Sequence, residues 1–376
     1  MNGSSHSTAR SGARCPTGSR RRAHCRSRIR PRRAGGLSSM CESAGASDRR
    51  TGAHLVAAVL MEEMRRDEGI VVFGEDVGAL GGVFGATRRL QREFGDTRVF
   101  DTPISETAFV GMAIGAAQAG LRPIVEIMFV DFIGVCFDQV LNQMAKNHYM
   151  SGGRVRVPLV MRTAVGSIGS AAQHSQVLSA TFAHIPGIKV LFPATPGDLR
   201  GLLVAAIRSD DPVVFLEHKW LLKSRLVELP FNDADSPDSP VEPAAVGKVR
   251  RIRDGSDVTI IASGWMVQQA VVAARELETA DISAGIVDIR SLVPLDREGL
   301  ASEALRAPCA LIVDEDFAGF GTTGEVMASI AERIPGEVRM ARHALDVSQP
   351  AALVLEEQVV PSARSIALQA KRLLRA

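Results

Sequence analysis

Two residues of this 376-residue chain have the type and setting of proton-handling groups. Glu106 lies in "RVFDTPISETAFVGMAIGAAQAGLRPIVEIMFVDF", residues 98–132, between a short apolar strand and a helix made almost wholly of small residues. Helix chemistry alone offers one account of it. Ser105 is a good N-cap, and a carboxylate in a first turn is stabilised by the positive end of the helix dipole. His174 lies in "GSAAQHSQVLSATFAHIPG", residues 169–187, at the end of a Gly/Ser-rich loop that follows the apolar run "VPLVMRT". A lone histidine is usually structural, but one in a loop at the strand ends of an α/β sheet suits proton transfer. His184, just before Ile185-Pro186, reads as a helix-end residue. In "FGEDVGALGGVFGATRRL", residues 73–90, Glu75 and Asp76 close a strand, where ligands of α/β sheets bind. Gly78, Gly81, Gly82 and Gly85 fit neither the GxGxxG nor the GxxxxGK[ST] spacing, so they read as a plain loop.

These residues need a scaffold, and the rest of the chain supplies one. "IVVFGED", "RPIVEIMFV", "VPLVMRT", "IKVLFPA" and "PVVFLEH" are continuous apolar runs, as strands buried on both faces are. Amphipathic helices such as "HLVAAVLMEEMRRDEG" and "PGDLRGLLVAAIRSDD" alternate with them, which implies a mostly parallel sheet with helices on both faces. The stretch "LPFNDADSPDSPVEPAAVG" has no periodicity and reads as a linker. The rhythm then resumes with "DVTIIASG", "MVQQAVVAARELE", "AGIVDIRSL", a helix from about Asp296, "CALIVDED" and "GEVMASIAERI". The expected fold is two doubly wound α/β domains over 49–228 and 246–376, joined by a linker at 229–245. Gly111 and Gly115, with Ala113, Ala116, Ala117 and Ala119 around them, form a face that lets another backbone approach closely, as at an interface.

Composition narrows the function classes. Residues 1–48 include Arg10, Arg14, Arg20 to Arg22, Arg26, Arg28, Arg30, Arg32 and Arg33, with no Asp or Glu before Cys41. They read as a disordered basic extension or a mis-assigned start, with Met40 as an alternative first residue. The remainder is net acidic and offers no nucleic-acid-binding face. No run approaches the about 20 apolar residues of a membrane span. Five scattered cysteines give no disulfide or zinc framework and point to a reducing, cytoplasmic setting. HExxH, GxSxG, CxxC and EF-hand patterns are absent, and Asp254-Gly255 reads as a turn.

"FGEDVG", "GGVFG", "DTPISE", "IGAAQAGLRPIVEIMFVDF", "DQVLNQMAK", "YMSGG", "AAQHSQ", "IPGIKVLFPATPGDLRGLL", "DPVVFLEHK" and "VDIRSLVPLD", in this order, resemble the beta subunits of thiamine-diphosphate-dependent 2-oxo acid dehydrogenases, of pyruvate, acetoin and branched-chain type. The resemblance runs from about residue 50 onward and implies a pyrimidine-binding domain followed by a transketolase C-terminal-like domain. By it, Glu106 is the glutamate that hydrogen-bonds a ring nitrogen of the cofactor's aminopyrimidine and drives its amino–imino tautomerisation. Burial favours such proton sharing by a carboxyl group. Phe132 matches the aromatic that stacks on the pyrimidine, Ile104 and Met128 match apolar residues of the same pocket, and Glu75 joins the cofactor set from its strand end. His174 matches the histidine of proton transfer and reductive acylation of lipoyl groups. Leu159, Ala206, Ile207 and Asp211 fall where some members bind a structural potassium ion, although Ser209 stands where others have aspartate. "HALDVSQPAALVLEEQVVP" departs from the family's Asp-x-Pro-x-Pro pattern.

The Gly-Asp-Gly motif by which thiamine enzymes hold magnesium and diphosphate is missing. The resemblance therefore implies half a site, with an alpha subunit supplying Mg2+ and the diphosphate half in an α2β2 heterotetramer. It also implies docking on a dihydrolipoyl acyltransferase core. The expected activity is decarboxylation of pyruvate with acyl transfer to lipoyl groups. Acetoin and branched-chain 2-oxo acids are the alternative substrates, and a non-catalytic assembly subunit is the reading from another class.

Overall fold

The computed structural model of the chain describes residues 51–223 and 241–376. The basic extension and most of the expected linker lie outside these residues.

The strands are β1 (Ile70–Gly74), β2 (Val99–Asp101), β3 (Arg122–Phe129), β4 (Val160–Val165), β5 (Lys189–Leu191) and β6 (Val213–His218), followed by β7 (Arg250–Arg253), β8 (Val258–Ala262), β9 (Ala284–Asp288), β10 (Ser291–Val293), β11 (Cys309–Phe317) and β12 (Arg339–Leu345). One sheet has the order β10-β5-β6-β4-β3-β1-β2 and the other β12-β11-β8-β9-β7. Pairing is parallel except where β10 meets β5 and β7 meets β9. β1, β4 and β6 are buried along their whole length. That burial is why they read as unbroken apolar runs.

The helices begin where local chemistry satisfies free N–H groups. Thr51 caps Gly52–Arg66 through the His54 N–H, and Thr195 caps Pro196–Ile207 through the Asp198 N–H, with proline in the first turn. Ser362 and Ser365 form a reciprocal capping box at the start of Ala363–Arg375.

One sequence expectation is corrected. "AGIVDIRSL" is not a single strand, because Arg290 takes φ 57° and divides it into β9 and β10. β10 then leaves the second sheet and pairs with β5 of the first. Arg290 secures the bend by bonding Asp198 Oδ1 at 2.7 Å and Lys248 O at 3.0 Å. The core is shared accordingly. A single apolar cluster joins Phe109, Val140, Met161 and Phe182 to Ile261, Val287, Ile312 and Ile330.

Candidate active site

Parallel strands bring their carboxyl ends to one edge, and the sequence-predicted residues issue from that edge. Glu75 follows β1, Ile104 and Glu106 follow β2, and Met128 lies near the end of β3, which runs into the 3-10 turn Val130–Cys136 that carries Phe132. β4 leads into the loop bearing His174, and β6 ends at His218 beside Lys219.

Glu106 is the first residue of the helix Glu106–Gln118 and is only 7% exposed. The capping account holds in part. Ser105 occupies the N-cap position, but at φ −167° and ψ 68° its side chain makes no capping bond, unlike Thr51 and Thr195 in extended geometry. No described residue donates a hydrogen bond to the Glu106 carboxylate.

Glu75 is its acidic neighbour. Burial, then the charges of Glu106 and Asp76, raise the Glu75 carboxyl above its ordinary range, and Glu75 Oε1 is buried with no partner. Burial and the Glu106 charge also push the Cys136 thiol up to about 12, which makes it a poor nucleophile. Two carboxyl groups with unspent hydrogen-bonding capacity, one of them inclined to hold a proton, fit an incoming group that carries nitrogen donors and acceptors. Met128 and Phe132 are half-buried, whereas Ile104 is 83% exposed.

His174 ends the short 3-10 turn Ala172–His174. Its ring stands edge-on to Phe129 and Phe132, with centroids 5.4 and 5.6 Å away. Ala171 (φ 66°) and Leu178 (φ 51°) hold left-handed conformations in this loop, which cost about 1–3 kcal/mol each and persist only when the surroundings enforce them. The enforcement is visible. Asp131 Oδ1 accepts from the backbone and side-chain amides of Gln176 at 3.2 and 2.9 Å, and Glu315 Oε1 accepts from the Ser167 N–H at 2.6 Å. Glu356 accepts from the Gly169 N–H and the Ser175 hydroxyl, and Gln349 donates to Ser175 O. Gln349 and Glu356 belong to the segment that departs from the family's proline pattern, so contacts to the loop are made there without those prolines.

Sequence reasoning missed the two charged triplets that hold this edge. Glu217, His218 and Lys219 close β6, and each engages a different element. Glu217 takes both Arg162 Nε and Nη2, while Arg162 Nη1 donates to Glu126, all at 2.7–2.8 Å. His218 Nδ1 accepts from the Trp220 N–H, which leaves its ring proton on Nε2, donated to Glu315 at 2.8 Å. Lys219 bonds the His174 loop. Asp314, Glu315 and Asp316 close β11, and Asp316 accepts from the Ser179 hydroxyl and the Ala180 N–H. The readable signal was three consecutive charged or ionisable residues ending an apolar strand.

The positions considered for potassium cluster at one end of β4 and β6, but their oxygen atoms are already engaged. Leu159 O accepts from Val213 N, Ala206 O from Ser209 N and Ile207 O from Arg122 Nε, while Asp211 pairs with Lys189 Nζ at 2.8 Å. A cation there competes with protein donors. The four glycines 78, 81, 82 and 85 lie in the irregular loop that follows β1, as expected. His184 caps the end of Ser179–Ala183. A cavity of about 350 Å³ lies elsewhere, lined by His184, Leu292, Val293, Phe320 and Val326 among others.

Fold and strand-edge site together define a transketolase-type α/β protein. Residues 50–224 match the transketolase pyrimidine-binding domain and residues 247–366 the transketolase C-terminal domain. The chain is 40% identical over 334 residues to the acetoin:2,6-dichlorophenolindophenol oxidoreductase subunit beta of Cupriavidus necator, covering 84% of this chain and 94% of that protein. It is 37% identical over 318 residues to the pyruvate dehydrogenase E1 component subunit beta of Staphylococcus epidermidis, with 84% and 95% covered. It is 42% identical over 274 residues to the 2-oxoisovalerate dehydrogenase subunit beta of Bacillus subtilis, with 73% and 81% covered. Among solved structures, a split-gene transketolase in an inactive beta4 tetramer shares the fold, with a TM-score of 0.71 and 22% identity over 86% of this chain and 98% of that one. The chain belongs to the transketolase-like family of dehydrogenase beta subunits that includes the pyruvate, acetoin and 2-oxoisovalerate types.

Proposed function

We propose that this chain is the beta subunit of a thiamine-diphosphate-dependent 2-oxo acid dehydrogenase, acting with an alpha subunit on pyruvate and passing the acyl group to lipoyl groups. The observation that carries the reading is Glu106, a buried carboxylate at a helix N-terminus with no hydrogen-bond donor among the described residues, beside the unpartnered Oε1 of Glu75. When bound, thiamine diphosphate supplies the carbanion chemistry of decarboxylation. Glu106 would share a proton with the aminopyrimidine, Glu75 would present its unpartnered Oε1 beside it, and Phe132 with Met128 would give the ring an apolar wall. His174, oriented by Phe129 and Phe132, moves a proton at its imidazole during acyl transfer.

The exposure of Ile104 supports a half-site that the alpha subunit completes, bringing Mg2+ and the diphosphate contacts. The outer face of the helix Glu106–Gln118, where Met112 is exposed and a Cβ on Gly115 would meet nothing, suits a beta–beta contact in an α2β2 heterotetramer. The dihydrolipoyl acyltransferase core is the expected further partner. The described cysteines, Cys136 and Cys309, are free and buried, and no described helix is long and apolar enough to cross a membrane. The free thiols fit the assignment to the cytoplasm. Acetoin is the second substrate reading, favoured by the 40% identity to the C. necator protein.

Calorimetric titration of thiamine diphosphate with Mg2+ into the chain alone, and into its mixture with the alpha subunit, tests the proposal. Binding only in the mixture is expected, and turnover of pyruvate, acetoin and branched-chain 2-oxo acids then ranks the substrates. Tight binding by the chain alone would overturn the half-site.

A further inference from the structure

We propose that Lys219 is a positioning residue that ties together the two ends of the His174 loop and so sets how the imidazole is presented. The proposal rests on the role given to His174 above. Lys219 is fully buried, and its Nζ donates to Gly166 O at 2.9 Å and to His174 O. Those carbonyls are the first and the functional residues of the loop, so one ammonium closes it. Bonding His174 O restrains the backbone that aims the imidazole. Phe129 couples the two groups further, with Nζ 4.9 Å above its ring centre and the His174 ring edge-on to it at 5.4 Å.

The ammonium is held at a cost. Burial pushes Lys219 down to about 8, against the charges of Asp131, Glu315 and Glu356, which favour its protonated form, while Lys223 opposes it. An apolar residue of similar length would avoid that desolvation, so what the ammonium contributes is donation to the two carbonyls. The loop cannot close on a bulkier start either, because Gly166 sits at φ +92° and a Cβ there would run into the His218 ring.

The test uses the assembled heterotetramer carrying Lys219→Met, Lys219→Arg, His174→Asn or Lys219→Met with His174→Asn. Lys219→Met is expected to leave the thiamine diphosphate Kd within two-fold and to lower kcat for lipoyl acylation at least ten-fold. Lys219→Arg, which keeps donors, is expected to recover most of that loss, and the double variant to be no slower than His174→Asn. Hydrogen exchange of residues 166–176 is read in parallel, and Lys219→Met is expected to deprotect that peptide alone. Unchanged exchange and unchanged kcat would overturn the proposal, as would losses that multiply in the double variant. If His174→Asn is as active as the unaltered enzyme while Lys219→Met still deprotects the loop, the role of His174 fails and the tether stands. Should Lys219→Met not assemble, Lys219→Leu, which likewise removes the donors to Gly166 O and His174 O, is read in the same way.

Discussion

Glu356 Oε1 accepts the backbone N–H of Gly169 at 2.7 Å, a bond between residues 187 positions apart that pins the histidine loop to the C-terminal part of the chain. The other oxygen takes the Ser175 hydroxyl at 3.2 Å, so one carboxylate holds the loop on both sides of His174. Glu356→Ala strands both donors, and an unmade buried hydrogen bond costs about 1–3 kcal/mol. A drop of several degrees in melting temperature is expected, together with new protease cleavage within residues 166–176. Glu356→Gln, which keeps a carbonyl acceptor, should fall between the two. Equal melting curves for all three proteins would show that the bond does not hold the loop.

Glu106→Gln removes the carboxylate's ability to exchange a proton and keeps the shape of the side chain. It also relieves the charge that, after burial, keeps the Glu75 carboxyl high. Stability should therefore be unchanged or slightly increased. Turnover of the assembled enzyme should fall by about 10²–10⁴, the usual contribution of a positioned proton-transfer group. Undiminished turnover would favour a non-catalytic assembly subunit instead.

The alternating strands and helices, and the edge from which Glu75, Glu106 and His174 project, were legible because continuous apolar runs report burial on both faces. The break at Arg290 was not, since "AGIVDIRSL" keeps its apolar pattern through a residue at φ 57° that is held by bonds to Asp198 and to the Lys248 carbonyl, both distant in sequence. Ser105 looked like a working cap and is not one, because a capping side chain also needs the extended backbone that Thr51 and Thr195 have and Ser105, at ψ 68°, lacks. The scaffold of the His174 loop was invisible for a related reason. Lys219, Glu315 and Glu356 act on backbone groups of distant residues, and such bonds leave no local periodicity.

Arg162 joins Glu126 and Glu217 across three neighbouring strands, almost without exposure. Burial raises the Glu126 carboxyl, and Arg162 draws it back. Arg162→Met leaves two buried carboxyl groups uncompensated, and breaking such a pair costs about 3–5 kcal/mol. With the cation gone, nothing offsets the burial that raises the Glu126 carboxyl, and it takes up a proton in the folded state. The deficit should therefore widen as pH rises and narrow in acid. Urea unfolding at pH 5.5 and 8 checks this, and a deficit independent of pH would mean the carboxyl groups are otherwise neutralised.

Asp314 gives a pH dependence of known sign. Burial, then the nearby Asp316, raise its carboxyl from 3.8 to about 7, although Thr322 and the backbone N–H groups of Glu315 and Asp316 bond it. The folded chain therefore holds a proton that the unfolded chain has released throughout the interval between those values. In that interval the native state binds more protons, so this residue's contribution is fully present below about 3.8, declines as pH rises, and is lost by about 7. Asn at this position keeps the Oδ1 acceptor for the two backbone N–H groups and presents an amide to the Thr322 hydroxyl, which can accept it. Asp314→Asn should accordingly fold normally, be more stable than the unaltered chain near neutral pH, and lose the part of the slope that falls between pH 4 and 7. Denaturant midpoints measured at half-unit steps across that range decide it. A variant whose midpoints run parallel to those of the unaltered chain would show that Asp314 is ionised throughout and that Thr322 and the backbone outweigh burial.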